Sequence, residues 1–191
     1  INVRLESDTV AYIMDFAEAR ALVVDRELLP VALEGLAARA DKGVGVPVVL
    51  IDDPHAARRP DVPDDLTVHD YEALAGAGDV AREDYLPATV ADELHPLSIN
   101  FTSGTTGRPK GVVYHHRGAC LMSLGTIAGW AVPRHPRYLY TVPMFHCNGW
   151  CHVWTMTAMA ATVVCLRSVV PARIFELIAR ERVTHFGGAP I

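Results

Sequence analysis

A chain of 191 residues that is 50% hydrophobic and 20% charged can bury a real core, and its length fits one domain or slightly more. Its net charge of −5 at pH 7 excludes the basic face that nucleic-acid binding needs, and no apolar run reaches the roughly 18 residues that a membrane-spanning helix requires. The four cysteines, Cys120, Cys147, Cys151 and Cys165, lie in or beside apolar segments. They read as reduced, buried thiols of a cytoplasmic protein rather than as a disulfide framework.

From the N-terminus, Ser7-Asp8 is expected to cap a helix that carries Val10, Ile13, Met14 and Ala17 on one face. Ala21 to Val24 reads as a short, fully buried strand. A second helix follows, with Pro30 in its first turn and Leu29, Leu33, Leu36, Ala37 and Ala40 on one side. Val46 to Ile51 is the next strand. Strand, helix, strand in this rhythm predicts an α/β fold with a mostly parallel sheet flanked by helices.

Between Asp52 and Pro96 the pattern dissolves among prolines and aspartates, with one short helix expected from Asp70 to Ala75. The chain therefore reads as two βαβ-type lobes, about 1–51 and 97–191, joined by an irregular surface segment, 52–96. In the second lobe, Arg117 to Trp130 reads as a helix with Cys120, Leu121, Leu124, Ile127 and Ala128 on its apolar side. Tyr138 to Val142 is a strand, Trp150 to Ala161 a helix and Thr162 to Leu166 a strand. Pro171 opens a helix through Ile174, Leu177 and Ile178, and His185-Phe186 begins a last strand.

Thr102-Ser103-Gly104-Thr105-Thr106-Gly107-Arg108-Pro109-Lys110-Gly111 is the most chemically loaded stretch. Gly104, Gly107 and Gly111 let backbone N–H groups approach an anion. The hydroxyls of Thr102, Ser103, Thr105 and Thr106 can donate to phosphate oxygens, Lys110 brings a full positive charge, and Arg108 can add another. A Walker loop places its lysine directly after glycine and opens a helix. Here Arg108-Pro109 intervenes, and Val112-Val113-Tyr114 after the lysine favours a strand, as does Leu97 to Phe101 before the loop. A P-loop is excluded by that context, and a plain Gly/Thr hairpin turn is the alternative.

The ten residues from Thr102 to Gly111 resemble, at every position, the signature phosphate loop of the AMP-forming, adenylate-forming acyl-CoA synthetases and their relatives. The resemblance implies that Thr102, Ser103, Gly104, Thr105, Thr106, Gly107 and Lys110 contact the β- and γ-phosphates of ATP.

Pro143-Met144-Phe145-His146-Cys147-Asn148-Gly149-Trp150-Cys151-His152 is the second constellation, between a strand and a helix where open α/β sheets bind ligands. His146, Cys147, Cys151 and His152 are chemically able to bind zinc, but adjacent His-Cys pairs point apart and no further cluster completes a tetrahedron, so no metal ligand is assigned. The segment is similar to a second motif of the same family. That likeness implies a catalytic, gating role beside the acyl pocket for His146, and wall roles for Asn148, Gly149, Trp150 and His152. His115-His116 faces either the pocket or solvent, and Gly187 to Pro190 reads as a turn near the acyl pocket.

The implied parent activity is that of an acid–thiol ligase: a fatty or aryl carboxylic acid and ATP give an acyl-adenylate and pyrophosphate, and the acyl group then passes to CoA, with Mg²⁺ carried by ATP. The family's adenine, ribose and C-terminal lysine motifs have no counterpart here. The expectation is therefore a partial N-terminal domain of the acyl-CoA synthetase-like fold, inactive by itself, with the C-terminal domain absent. A non-catalytic nucleotide- or phosphate-binding module is the other reading.

Overall fold

Two stretches of apolar periodicity, one on each side of the proline-rich middle, organise the molecule. In a computed structural model, described for residues 1–39, 45–77, 89–102 and 107–188, the chain divides into two units, Ile1–Thr89 and Val90–Ile191.

The first unit runs α1 (Ser7–Phe16), β1 (Leu22–Asp25), a 3-10 turn (Arg26–Leu28), α2 (Leu29–Ala37), β2 (Val48–Ile51), β3 (Val68–Asp70) and α3 (Tyr71–Gly76). Its three strands pair in parallel in the order β1-β2-β3, with Leu22 opposite Val48 and Val48 opposite Val68. Val10 and Met14 of α1 and Leu29 and Leu36 of α2 meet Leu22, Val24, Val48 and Leu50 in one apolar core.

Several details differ from expectation. Glu6, not Ser7, precedes the first helical turn, and no side chain caps it. β1 is buried on one face only, because Val23 is 55% exposed while Leu22 and Val24 are buried. Leu33 is half-buried and Ala37 exposed, the buried face of α2 running instead through Leu29, Ala32, Gly35 and Leu36; Ala40 lies outside the described residues. The segment read as irregular contains β3, three residues too short to show a period.

The second unit holds β4 (Pro96–Phe101), β5 (Gly111–His115), α4 (His116–Gly129), β6 (Arg137–Leu139), a four-residue turn α5 (Cys147–Trp150), α6 (His152–Ala158), β7 (Thr162–Val164), α7 (Pro171–Glu181) and β8 (His185–Phe186). β4 and β5 form an antiparallel hairpin around the glycine-rich loop. β6 lies between β7 and β8, parallel to both. The α/β class with parallel sheets and flanking helices is as expected.

The apolar side expected for α4 is turned outward. Leu121 and Leu124 are more than half exposed, and Ala119, Ser123 and Thr126 are buried instead. Small residues let α4 approach its neighbours closely, which the bulky face would prevent. The cysteine expectation is also corrected: all four are free, but Cys120 and Cys165 are exposed, Cys147 is half-buried and only Cys151 is buried.

The core of this unit centres on Tyr138, fully buried on β6 with Tyr140, Val132 and Met156 around it. The Tyr138 hydroxyl shares a hydrogen bond with Nδ1 of His152, which is itself 1% exposed. The Gly187 backbone hydrogen-bonds the same hydroxyl, and the rings of Trp130 and Tyr138 each stand edge-on to His152 at 5.0 Å. Burial pushes the Tyr138 phenol up to about 12 and holds His152 below the usual imidazole range.

Gly35 of α2 marks where the two helices of the first unit touch, because a Cβ there would meet Val10 Cγ1 at 2.9 Å and Ser7 O at 3.1 Å. Gly35→Leu should therefore cost about 1–3 kcal/mol in urea unfolding, the usual penalty of overpacking. In the second unit, Tyr138→Phe leaves a buried imidazole nitrogen without its partner and should cost about 1–3 kcal/mol. The pH dependence follows from the same pair. The unfolded chain takes up a proton on His152 near its ordinary value of about 6.5, whereas the folded chain resists it, so stability should be flat above that pH and fall below it. Urea midpoints between pH 8 and pH 5 check the sign; a midpoint that rose on acidification would contradict it.

Candidate functional site

Alternating β-branched and aromatic residues on both sides of a Gly/Pro-rich segment dictate a hairpin, and β4 and β5 are that hairpin. At its mouth, the Thr102 N–H donates to the Lys110 carbonyl at 3.0 Å, and the Lys110 N–H donates to Thr102 Oγ1 at 3.2 Å. This reciprocal pair closes the loop and uses Thr102 Oγ1 as an acceptor, leaving its own proton for a further partner. Thr102, Gly107 and Lys110 are exposed; Ser103, Gly104, Thr105 and Thr106 lie outside the described residues. A Cβ at Gly111 would come within 2.6 Å of Ile99 Cδ1, so any larger residue there makes the Ile99 side chain shift.

After β6 the chain does something periodicity could not announce. Cys147, Asn148, Gly149, Trp150 and Cys151 have φ of 49°, 49°, 59°, 57° and 62°, five successive left-handed residues. Together they make one left-handed turn, closed by Cys151 N–H donating to the Cys147 carbonyl at 3.0 Å. Left-handed backbone costs about 1–2 kcal/mol at each non-glycine residue. Asn148 tolerates it better than most, and Gly149 escapes it, its missing Cβ also sparing the Tyr140 ring a contact at 3.1 Å. The helix expected to start at Trp150 begins only at His152, where the backbone returns to right-handed.

The hairpin and the turn are fastened together. Asn148 Nδ2 donates to Ser98 Oγ at 3.0 Å. The Asn100 amide reaches the same segment in either orientation: in one, Nδ2 lies 3.4 Å from the Phe145 carbonyl; in the other, its oxygen accepts from the Asn148 N–H at 3.0 Å and its nitrogen donates to Asn148 Oδ1 at 3.2 Å. From β5, Tyr114 hydrogen-bonds the Cys147 thiol and stacks at a tilt on Trp154, 6.3 Å between ring centres. Burial, then this contact, pushes the Tyr114 phenol up to about 12.

The residues singled out from the sequence thus fall into distinct surroundings. His146 is exposed, immediately before the left-handed turn. Trp150 is half-buried, its ring 6.5 Å from that of His152. His152 is sealed in the core on Tyr138, and the Asn148 amide faces the hairpin. His115 Nδ1 accepts from the Gly118 N–H at 2.9 Å, capping α4. Ala189 and Pro190 lie outside the described residues, while the Gly187 carbonyl accepts a hydrogen bond from Thr141 Oγ1. Sequence reasoning missed Ser98, Asn100 and Tyr114. Asn100 had left a signal, since asparagine is depleted within strands and here sits between Ile99 and Phe101. Among the described residues, no three or more His, Cys, Asp or Glu side chains gather as a metal cluster, and no helix is long and apolar enough to cross a membrane.

Comparison with known proteins gives this arrangement a context. The profile of the family described as AMP-binding enzyme matches residues 1–191. A peroxisomal trans-cinnamate:CoA ligase of Petunia hybrida is 40% identical over 201 residues, covering 100% of this chain and 34% of the relative. A peroxisomal benzoate–CoA ligase of Arabidopsis thaliana is 38% identical over 198 residues, covering 100% of this chain and 33% of the relative. Among solved structures, the N-terminal domain of FACL13 from Mycobacterium tuberculosis superposes with a TM-score of 0.71 at 25% identity, over 98% of this chain and 42% of that one. A red-emitting luciferase of Phrixothrix hirtus, at 16% identity, shares the fold with a TM-score of 0.77 over 97% of this chain and 34% of its own. The chain spans about a third of the length of the curated relatives it matches. With the family profile matched over the whole chain and the fold shared with these structures, the chain belongs to the AMP-binding enzyme family and has the fold of an acyl-CoA synthetase N-terminal domain.

Proposed function

We propose that this chain supplies the phosphate loop and one wall of the acyl site of an ATP-dependent, AMP-forming acyl-CoA synthetase. The observation that carries the reading is the hydrogen-bonded union of the hairpin holding the loop with the segment holding His146. An enzyme that joins a carboxylate to the α-phosphorus of ATP must bring two anions together, and needs a phosphate cradle beside an acyl pocket.

In this reading the Thr102 hydroxyl, the Lys110 ammonium and the loop's N–H groups neutralise the β- and γ-phosphates and orient pyrophosphate as the leaving group. Ser103, Gly104, Thr105, Thr106 and Gly107 join them by resemblance. His146, exposed at the start of the turn, meets the carboxylate, while Gly149 and Trp150 line the acyl side, with Asn148 and His152 behind them. The carboxylate oxygen attacks the α-phosphorus, pyrophosphate departs, and the CoA thiol then displaces AMP. Mg²⁺ would arrive with ATP and, bound there, would offset phosphate charge. A fatty or aryl acid is the proposed substrate class, in line with the cinnamate, benzoate and acetate/butyrate ligases among the relatives. Free cysteines favour a reducing compartment; we propose the cytoplasm, against the peroxisomal names of several relatives, and fluorescent tagging of the full-length protein decides between them.

Full-length protein should exchange labelled pyrophosphate into ATP only when a fatty or aryl acid is present. Lys110→Ala should slow that exchange about 10²-fold, as removing a charge-stabilising donor does elsewhere. His146→Ala should raise KM for the acid several-fold more than KM for ATP. Absence of exchange with every acid in a fatty and aryl panel would overturn the assignment.

A further inference from the structure

The chemistry assigned to Asn148 by its place in the motif is wall chemistry, yet its side chain is turned to the hairpin and bonded there. Asn148 Nδ2 holds Ser98 Oγ at 3.0 Å, and its main-chain N–H and side-chain oxygen both fit the Asn100 amide, at 3.0 and 3.2 Å. Asn100 stands two residues before Thr102, whose backbone and hydroxyl close the phosphate loop on Lys110. Asn148 stands two residues after His146, inside a left-handed turn that local sterics oppose. A second fastening, from Tyr114 to Cys147, joins the other hairpin strand to the same turn.

We infer that Asn100 and Asn148 form a clasp that couples the phosphate loop to the acyl site, so that occupation of one favours the binding conformation of the other. This rests on the function proposed above. Neither residue touches a reacting atom; both are positioning residues. The reason is energetic. A left-handed turn rich in non-glycine residues persists only while outside contacts hold it. Contacts supplied by the hairpin make the turn's conformation depend on the hairpin's. A phosphate bound at the loop mouth stabilises the hairpin, hence the turn, hence the presentation of His146. Coupling of this kind is reciprocal: whatever ATP does for the acid, the acid does for ATP.

The test uses full-length wild-type protein, Asn100→Ala and Asn148→Gly. Glycine keeps positive φ accessible while removing the amide, and Asn100→Ala leaves the turn's own residues untouched. With the Mg²⁺ complex of α,β-methylene ATP as probe, amide hydrogen exchange at Cys147 to Cys151 should slow in wild type by about tenfold, a typical coupling factor, and by less than twofold in either variant. Affinity for the probe alone should stay within twofold of wild type. Benzoate titrated calorimetrically with and without the probe should show the same factor, lost in both variants. Equal slowing in all three proteins, or none in wild type, overturns the clasp. Pyrophosphate exchange judges the function separately: a wild type that exchanges normally but shows no probe-dependent protection of the turn sinks the clasp alone.

Discussion

The buried hydrogen bond between Tyr138 and His152 is the constraint on which the second unit depends. Tyr138 occupies the middle strand, with Val163 of β7 on one side and His185 of β8 on the other. His152 is the first residue after the left-handed turn. The bond therefore fixes the exit of that turn to the centre of the sheet, and Gly187, packed against the same hydroxyl, fixes the end of β8 to it as well. A tyrosine and a histidine buried together are costly to desolvate unless each satisfies the other, so neither can move independently. Around this anchor, Tyr138 and His152 are buried and bonded to each other, while Lys110, Thr102 and His146, to which the proposed function gives the chemistry, are exposed.

The hairpin contributes a different kind of order. Its strands are only five and six residues long, and among the described residues β4 and β5 pair only with each other. Such a ribbon is marginal in water unless it packs on something. Ser98, Asn100 and Tyr114 supply that packing on the side of the left-handed turn, and Arg117 with Glu93 ties its base at 3.0 Å. The glycine-rich loop is thus borne by a hairpin whose packing comes from the side of the left-handed turn.

Much of this was readable in the residues. β-branched and aromatic runs on both sides of Thr102 to Gly111 specify a hairpin rather than a P-loop, and Leu29 with Leu36 specifies the second helix of the first unit, because in both cases burial follows local period. The failures have equally local causes. β3 escaped notice because Val68-His69-Asp70 is too short to alternate. The face of α4 was inverted because the reading followed hydrophobicity, whereas the packing follows size: Ala119, Ser123 and Thr126 fit where Leu121 and Leu124 do not. The left-handed turn left only Asn148-Gly149 as a hint, since Cys147, Trp150 and Cys151 carry no preference for positive φ. Its conformation is held from outside by Ser98 and Asn100, both distant in sequence.

That last property bears on how the molecule is made. A right-handed helix can begin from a few adjacent residues, but the turn from Cys147 to Cys151 cannot nucleate itself, because every residue in it except Gly149 is locally disfavoured. Its stabilising partners lie far along the chain: Ser98 is 50 residues from Asn148, and the Asn100 amide is 45 from the Phe145 carbonyl just before the turn. Closing so long a loop must come first, and the turn can settle only once β6 and the hairpin are already in place. The segment that presents His146 is therefore among the last parts of the unit to reach its native form, and the first to be lost when either neighbour loosens.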